Sequence, residues 1–196
     1  HQLMVEEGFA APGRLIVGAD SHTCTYGAVN ALSTGIGSTE AAAVFATGKL
    51  WFKVPETVKF EIDGTLRPGV VGKDIILYII GLIGVDGALY KAMEFTGSAI
   101  DTLSMESRLT ISNMAIEAGG KAGLFEVDDI TRAYVDPRKE RDYVEYHSDP
   151  DAQYAQVIKI DAADIPLTVS LPHLPSNTKP AAECGDIDID QAVIGS

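Results

Sequence analysis

The sequence predicts an α/β fold, and three observations carry the prediction. Residues 13–19 hold a β-branched apolar run, GRLIVGA, that suits a buried strand ending at Asp20. Residues 57–63, TVKFEID, alternate Val58, Phe60 and Ile62 with Lys59 and Glu61, the period of a half-buried strand. Residues 73–83, KDIILYIIGLI, are apolar nearly all round and long enough for a buried helix with Asp74 near its start. Strand-like and helix-like segments following one another in this way build α/β architectures.

The remaining elements fall between these anchors. After Asp20 come Gly27, Gly35 and Gly37, then Ser38 and Thr39 ahead of the Ala-rich run EAAAVFATGKLWF, so either hydroxyl can cap a helix there. Pro55 closes that unit. Residues 108–118, RLTISNMAIEA, have the length of a helix and stop at Gly119-Gly120. Residues 136–153 are charged and bracketed by Pro137 and Pro150, as in a solvated connection. QVIKI and LTVSL read as short strands, PHLPSNTKPAAECGD as loop, and the terminal IDQAVIGS as a strand. This gives three units: 1–55, 56–155 and the opening of a third at 156–196.

Composition narrows the function classes. With 46% hydrophobic residues in 196, the chain can fill a core. No apolar run reaches membrane-spanning length and no signal-peptide pattern opens the sequence, so a cytoplasmic protein is expected. The net charge of −13 is concentrated after residue 60, with no Lys/Arg cluster, which argues against a nucleic-acid partner. A small anionic substrate stays compatible, because local donors outweigh a diffuse charge screened by salt. Cys24 and Cys184 lie too far apart in sequence for a metal-ligand spacing, so both read as free thiols and no metal ligand is assigned.

The chemistry concentrates in VGADSHTCTYG, residues 17–27. Asp20, Ser21 and His22 follow the end of the first strand, where open α/β sheets place ligands. No G-x-S-x-G or other nucleophile elbow surrounds Ser21, so the triplet by itself is not a Ser-His-Asp triad. It is a candidate acid/base cluster whose partners come from elsewhere in the fold. Asn113 and Glu117, four apart, would share one helix face among Leu109, Ile111, Met114 and Ile116. A carboxylate among apolar neighbours needs a hydrogen-bonded partner such as a histidine; the alternative is a solvated glutamate on a surface helix.

Taken together, VGADSHTCTYGA, GIGST, ATGKLWFKVPET, LTISNMAIEAG and IDQAVIGS resemble the aconitase superfamily, and within it the large subunits of 3-isopropylmalate dehydratase and homoaconitase. The resemblance runs over nearly the whole chain and is weakest across 136–165. It implies part of a multi-domain aconitase-like fold, with a small di- or tricarboxylic acid as substrate, a separate small subunit as partner and a [4Fe-4S] cluster as cofactor. It implies a hydro-lyase acting in leucine biosynthesis, with homoaconitase as the alternative and a non-catalytic binding domain of the same fold as the second.

The resemblance also assigns roles. His1, followed by Gln2, would pair with Asp20, and His22 with Glu117, making these four catalytic; Ser21 would bind a substrate carboxylate and Asn113 would lie beside the cluster. The family holds its cluster by a cysteine in C-T-N, following I-G-S, and by two more in a later C-x-x-C. None has a counterpart among these 196 residues. A fragment that is inactive alone, with apolar surface exposed, is therefore expected.

Overall fold

The computed structural model describes residues 1–195. A short helix α1 (Gln2–Glu6) leads into β1 (Leu15–Gly18), which pairs in parallel with β2 (Leu32–Gly35). Between the two strands lies a 3₁₀ helix, Ser21–Val29. The first strand is less buried than its composition predicts: Leu15 and Leu32 stand exposed, because the two-stranded ladder has no further layer packed on that side among the described residues.

Helix α2 (Ser38–Thr47) follows, with Gly37 rather than Ser38 or Thr39 at its cap. Glu40 explains the shift, since its carboxylate accepts from the Gly37 N–H at 2.8 Å and so satisfies the first turn without a hydroxyl. No residue of α2 is buried. Phe45 is 91% exposed and Trp51, just after the helix, 80%. An open apolar face of this kind is the surface expected from the sequence.

The larger body is a four-stranded parallel sheet in the order β5-β4-β3-β6, formed by β3 (Thr57–Asp63), β4 (Ala92–Thr96), β5 (Ala122–Phe125) and β6 (Gln156–Asp161). Helices α3 (Gly72–Ile83) and α4 (Met105–Asn113) make the crossovers from β3 to β4 and from β4 to β5, and α5 (Asp129–Val135) lies on the path to β6. In β3 the buried residues are Val58, Phe60 and Ile62, as the alternation requires. Phe60, Phe95 and Phe125 stack across three strands with ring centroids 5.5 and 5.2 Å apart. Each such ring contributes about 1.5–3 kcal/mol through burial. Ile75, Ile76, Ile79 and Ile80 of α3 complete the core.

Further sequence expectations change, among them the loop reading of 172–186, which holds a short strand at Thr178–Pro180. The sheet continues past residue 155, because Gln156–Asp161, placed by sequence in the third unit, runs beside β3 through six register pairs. Residues 108–118 are not one α-helix: α4 ends at Asn113 and a 3₁₀ turn, Met114–Ala118, takes over. Through residue 195 the terminal IDQAVIGS forms no strand; Ile187, Ile189, Val193 and Ile194 are exposed with no neighbouring strand to pair with, and Ser196 lies outside the described residues. After β6 a small antiparallel pair, β7 (Thr168–Ser170) and β8 (Thr178–Pro180), packs on α3, where Asp74 accepts from the Thr168 N–H at 2.7 Å. No helix is long and apolar enough to cross a membrane among the described residues.

Candidate active site

Asp20 starts the site by capping the 3₁₀ helix. Its Oδ1 accepts from the His22 N–H at 2.7 Å. Nine residues is long for a 3₁₀ helix, whose hydrogen bonds are strained compared with those of an α-helix. Here the side chains themselves reach back three residues: Thr23 Oγ1 donates to the Asp20 carbonyl at 2.7 Å, Cys24 Sγ to that of Ser21 at 3.7 Å, and Thr25 Oγ1 to that of His22 at 2.6 Å. Side-chain bonds with this spacing favour the tighter winding. DSHTCT is thus both the chemical motif and the reason for its own backbone shape.

With Asp20 as the cap and His22 in the first turn, Asp20 Oδ1 lies 3.7 Å from His22 Nδ1. Ser21 Oγ lies 3.3 Å from the same nitrogen. His1 reaches Asp20 from the other side, its Nε2 3.1 Å from Oδ1.

Two glycines let this turn nest into the fold. A Cβ on Gly35 at the end of β2 would stand 2.7 Å from the Asp20 carbonyl oxygen, and one on Gly27 would overlap the carbonyl oxygen of Gly123 in β5. The turn therefore sits directly on β5 and on the end of α4. There His22 Nε2 meets Glu117 Oε1 at 3.3 Å. Both side chains are 36% exposed, so a reactant can reach the pair.

Asn113 takes a different place from Glu117, because the change from α to 3₁₀ winding after residue 113 breaks the shared face that four-residue spacing predicted. Its Nδ2 donates to Thr25 Oγ1 at 2.9 Å, and its carbonyl accepts from Cys24 Sγ at 3.4 Å. Thr25 and Cys24 thereby stitch the DSH turn to the helix that delivers Glu117. Sequence reading missed both as positioning groups, since contacts 88 and 89 residues apart leave no local pattern. It also missed Tyr26, whose hydroxyl lies 3.0 Å from His1 Nδ1.

The chain's own thiols do not suit a cluster. Cys24 is buried and its thiol proton faces carbonyl oxygens; burial pushes its pKa up to about 11, the opposite of what a thiolate ligand needs. Cys184 hydrogen-bonds the Pro180 carbonyl near β8. Among the described residues no group of three or more His, Cys, Asp and Glu side chains gathers into a metal site.

Residues 1–195 match the aconitase family (aconitate hydratase). The chain belongs to the aconitase family. Among curated proteins it is 62% identical to the 3-isopropylmalate dehydratase large subunit of Syntrophus aciditrophicus over all 196 of its residues. The proteins of the same name from Halothermothrix orenii and Moorella thermoacetica are each 61% identical to it over the same span. In each case the aligned region is 47% of the relative, so the chain spans about half the length of these aconitase-family proteins.

Proposed function

We propose that the chain carries one side of the active site of a hydro-lyase large subunit that interconverts 2- and 3-isopropylmalate by dehydration and rehydration. The observation that carries this reading is the convergence of two carboxylate–imidazole pairs, His1–Asp20 and His22–Glu117, from segments far apart in sequence. The names of the relatives support isopropylmalate over the homocitrate and homoisocitrate of the homoaconitase alternative.

Dehydrating a hydroxy acid breaks a C–H and a C–O bond and forms a C=C bond; the carbon-bound proton goes to a base, and the departing hydroxide takes a proton to become water. Paired acid–base groups can hold and deliver such protons near neutral pH. In this reading His22, backed by Glu117, supplies the proton to the departing hydroxide. Asp20, oriented by His1 and by the His22 N–H, contacts the substrate hydroxyl, and Ser21 donates to a carboxylate. Asn113 holds the turn in place through Thr25. The base that takes the carbon-bound proton is assigned to a partner small subunit.

An iron–sulfur cluster is part of the proposal because the family resemblance implies one as a Lewis acid toward the hydroxyl. Neither Cys24 nor Cys184 fits as a ligand, so its thiolates would be supplied by residues other than these 196. The deciding experiment expresses the polypeptide containing this segment with its small subunit and assays hydration of the unsaturated acids derived from isopropylmalate and from homocitrate. Hydration of the first supports the reading, and hydration of the second alone transfers it to homoaconitase. Hydration of neither defeats both and favours a non-catalytic binding domain.

A further inference from the structure

We propose that Tyr26 is a positioning residue for this site: its hydroxyl donates a hydrogen bond to Nδ1 of His1 and commits the imidazole to the tautomer whose Nε2–H is aimed at Asp20. The proposal rests on the reading above, in which Asp20 contacts the reacting hydroxyl.

The argument is one of hydrogen-bond accounting. An ionised carboxylate only accepts, so the ring nitrogen 3.1 Å from Asp20 Oδ1 must carry a proton for the contact to be a bond. In the neutral ring Nδ1 is then bare and needs a donor. Among the described residues the group that meets it is the Tyr26 hydroxyl, at 3.0 Å, with the two rings tilted 57° and their centroids 5.8 Å apart. Tyr26 is buried, and a buried phenol requires a partner for its own O–H. Burial, with a smaller contribution from the charge on Asp20, pushes the Tyr26 pKa up, which keeps the hydroxyl protonated and available as donor.

The groups facing the His1 ring are thus Tyr26 on one nitrogen and Asp20 on the other. Asp20 in turn faces His22, and His22 faces Glu117. The five side chains form one file, Tyr26–His1–Asp20–His22–Glu117, with Tyr26 as its buried, uncharged end. Fixing one nitrogen of a histidine defines the protonation of the other. A misassigned His1 would present a bare Nε2 to the Asp20 carboxylate and push it away from its capping position.

The test reads the tautomer directly. In a long-range ¹H–¹⁵N spectrum of the full-length polypeptide assembled with its small subunit, taken with the imidazoles neutral, His1 is expected as a single Nε2–H tautomer with Nδ1 shifted by an accepted hydrogen bond. Tyr26→Phe keeps the ring and removes the hydroxyl; the hydrogen-bond shift is expected to disappear and the single tautomer to give way to a mixture. The signals of His147 and His173 report whether the variant is folded. An Nδ1–H tautomer in the unsubstituted chain overturns the proposal without any variant, and so does an unchanged His1 spectrum in a folded Tyr26→Phe.

In the assembled enzyme Tyr26→Phe is expected to lower kcat about tenfold, to leave KM unchanged and to move the pH profile. An unchanged kcat and profile would overturn the positioning role. An unsubstituted assembly without activity would instead defeat the functional reading while the tautomer result stood.

Discussion

His22 Nε2 and Glu117 Oε1 lie 3.3 Å apart although 95 residues of sequence separate them, and neither is buried. A pair so exposed adds little to stability, generally under about 1 kcal/mol, because solvent screens it and two side chains lose freedom to form it. Its conservative removal should therefore leave the fold almost untouched. Glu117→Gln is expected to shift the free energy of unfolding, measured by urea titration, by less than about 1 kcal/mol; a larger loss would make the pair structural.

Thr25 behaves differently, because its hydroxyl accepts from Asn113 Nδ2 and donates to the His22 carbonyl. Thr25→Val keeps the shape and leaves the Asn113 amide without its acceptor, at an expected cost of about 1–3 kcal/mol. Thr25→Ser should recover most of that loss. Equal stability of the valine and serine variants would remove the stitch from the account.

The Arg108–Asp128 pair makes stability depend on pH. Arg108 is only 1% exposed and its guanidinium meets Asp128 Oδ2 at 2.6 Å. Burial would raise the Asp128 pKa, but the bonds from Arg108 and from Thr131 outweigh it and hold the carboxyl below the ordinary aspartate range. A lowered pKa in the folded chain gives stability that is complete above the unfolded value, about 3.9, and lost as pH falls through the folded one. Asp128→Asn is expected to flatten the acid limb of a stability-versus-pH curve. At neutral pH it should cost about 1–3 kcal/mol, because Arg108 is buried while solvent reaches a third of the Asp128 side chain and screens the pair.

The two cysteines should separate cleanly under a thiol reagent. The Cys24 thiol, buried and pushed up to about 11, is expected to resist modification at pH 8 until the chain is unfolded. Cys184 is partly exposed and should react in the folded state. Timed thiol counts with and without denaturant check this, and rapid reaction of both in the folded chain would contradict the packing of the DSH turn against Asn113.

The sequence was legible where periodicity is local. Val58, Phe60 and Ile62 specified β3, and the apolar wrap of residues 73–83 specified α3, because a strand or helix buried against one body leaves its period in the residues. Strands β4 and β5 are short and carry no such run, so pattern alone did not reveal them. The winding of Ser21–Val29 and of Met114–Ala118 was also hidden, since 3₁₀ turns are stabilised by bonds whose partners propensity does not name. For the site, family resemblance supplied the His1–Asp20 and His22–Glu117 pairs. Tyr26, Cys24 and Thr25 emerged only once distant segments were brought together, because their roles are defined by what they touch.

The most direct measurement is the steady-state kcat of Glu117→Gln in the assembled enzyme, compared with the unsubstituted assembly at saturating isopropylmalate. If His22 and Glu117 together deliver a proton in the reaction, kcat falls by about a hundredfold or more while the protein remains folded. An unchanged kcat in a folded assembly would show that the pair carries no proton in the reaction, and the assignment of this site as the acid–base side of a hydro-lyase would fail.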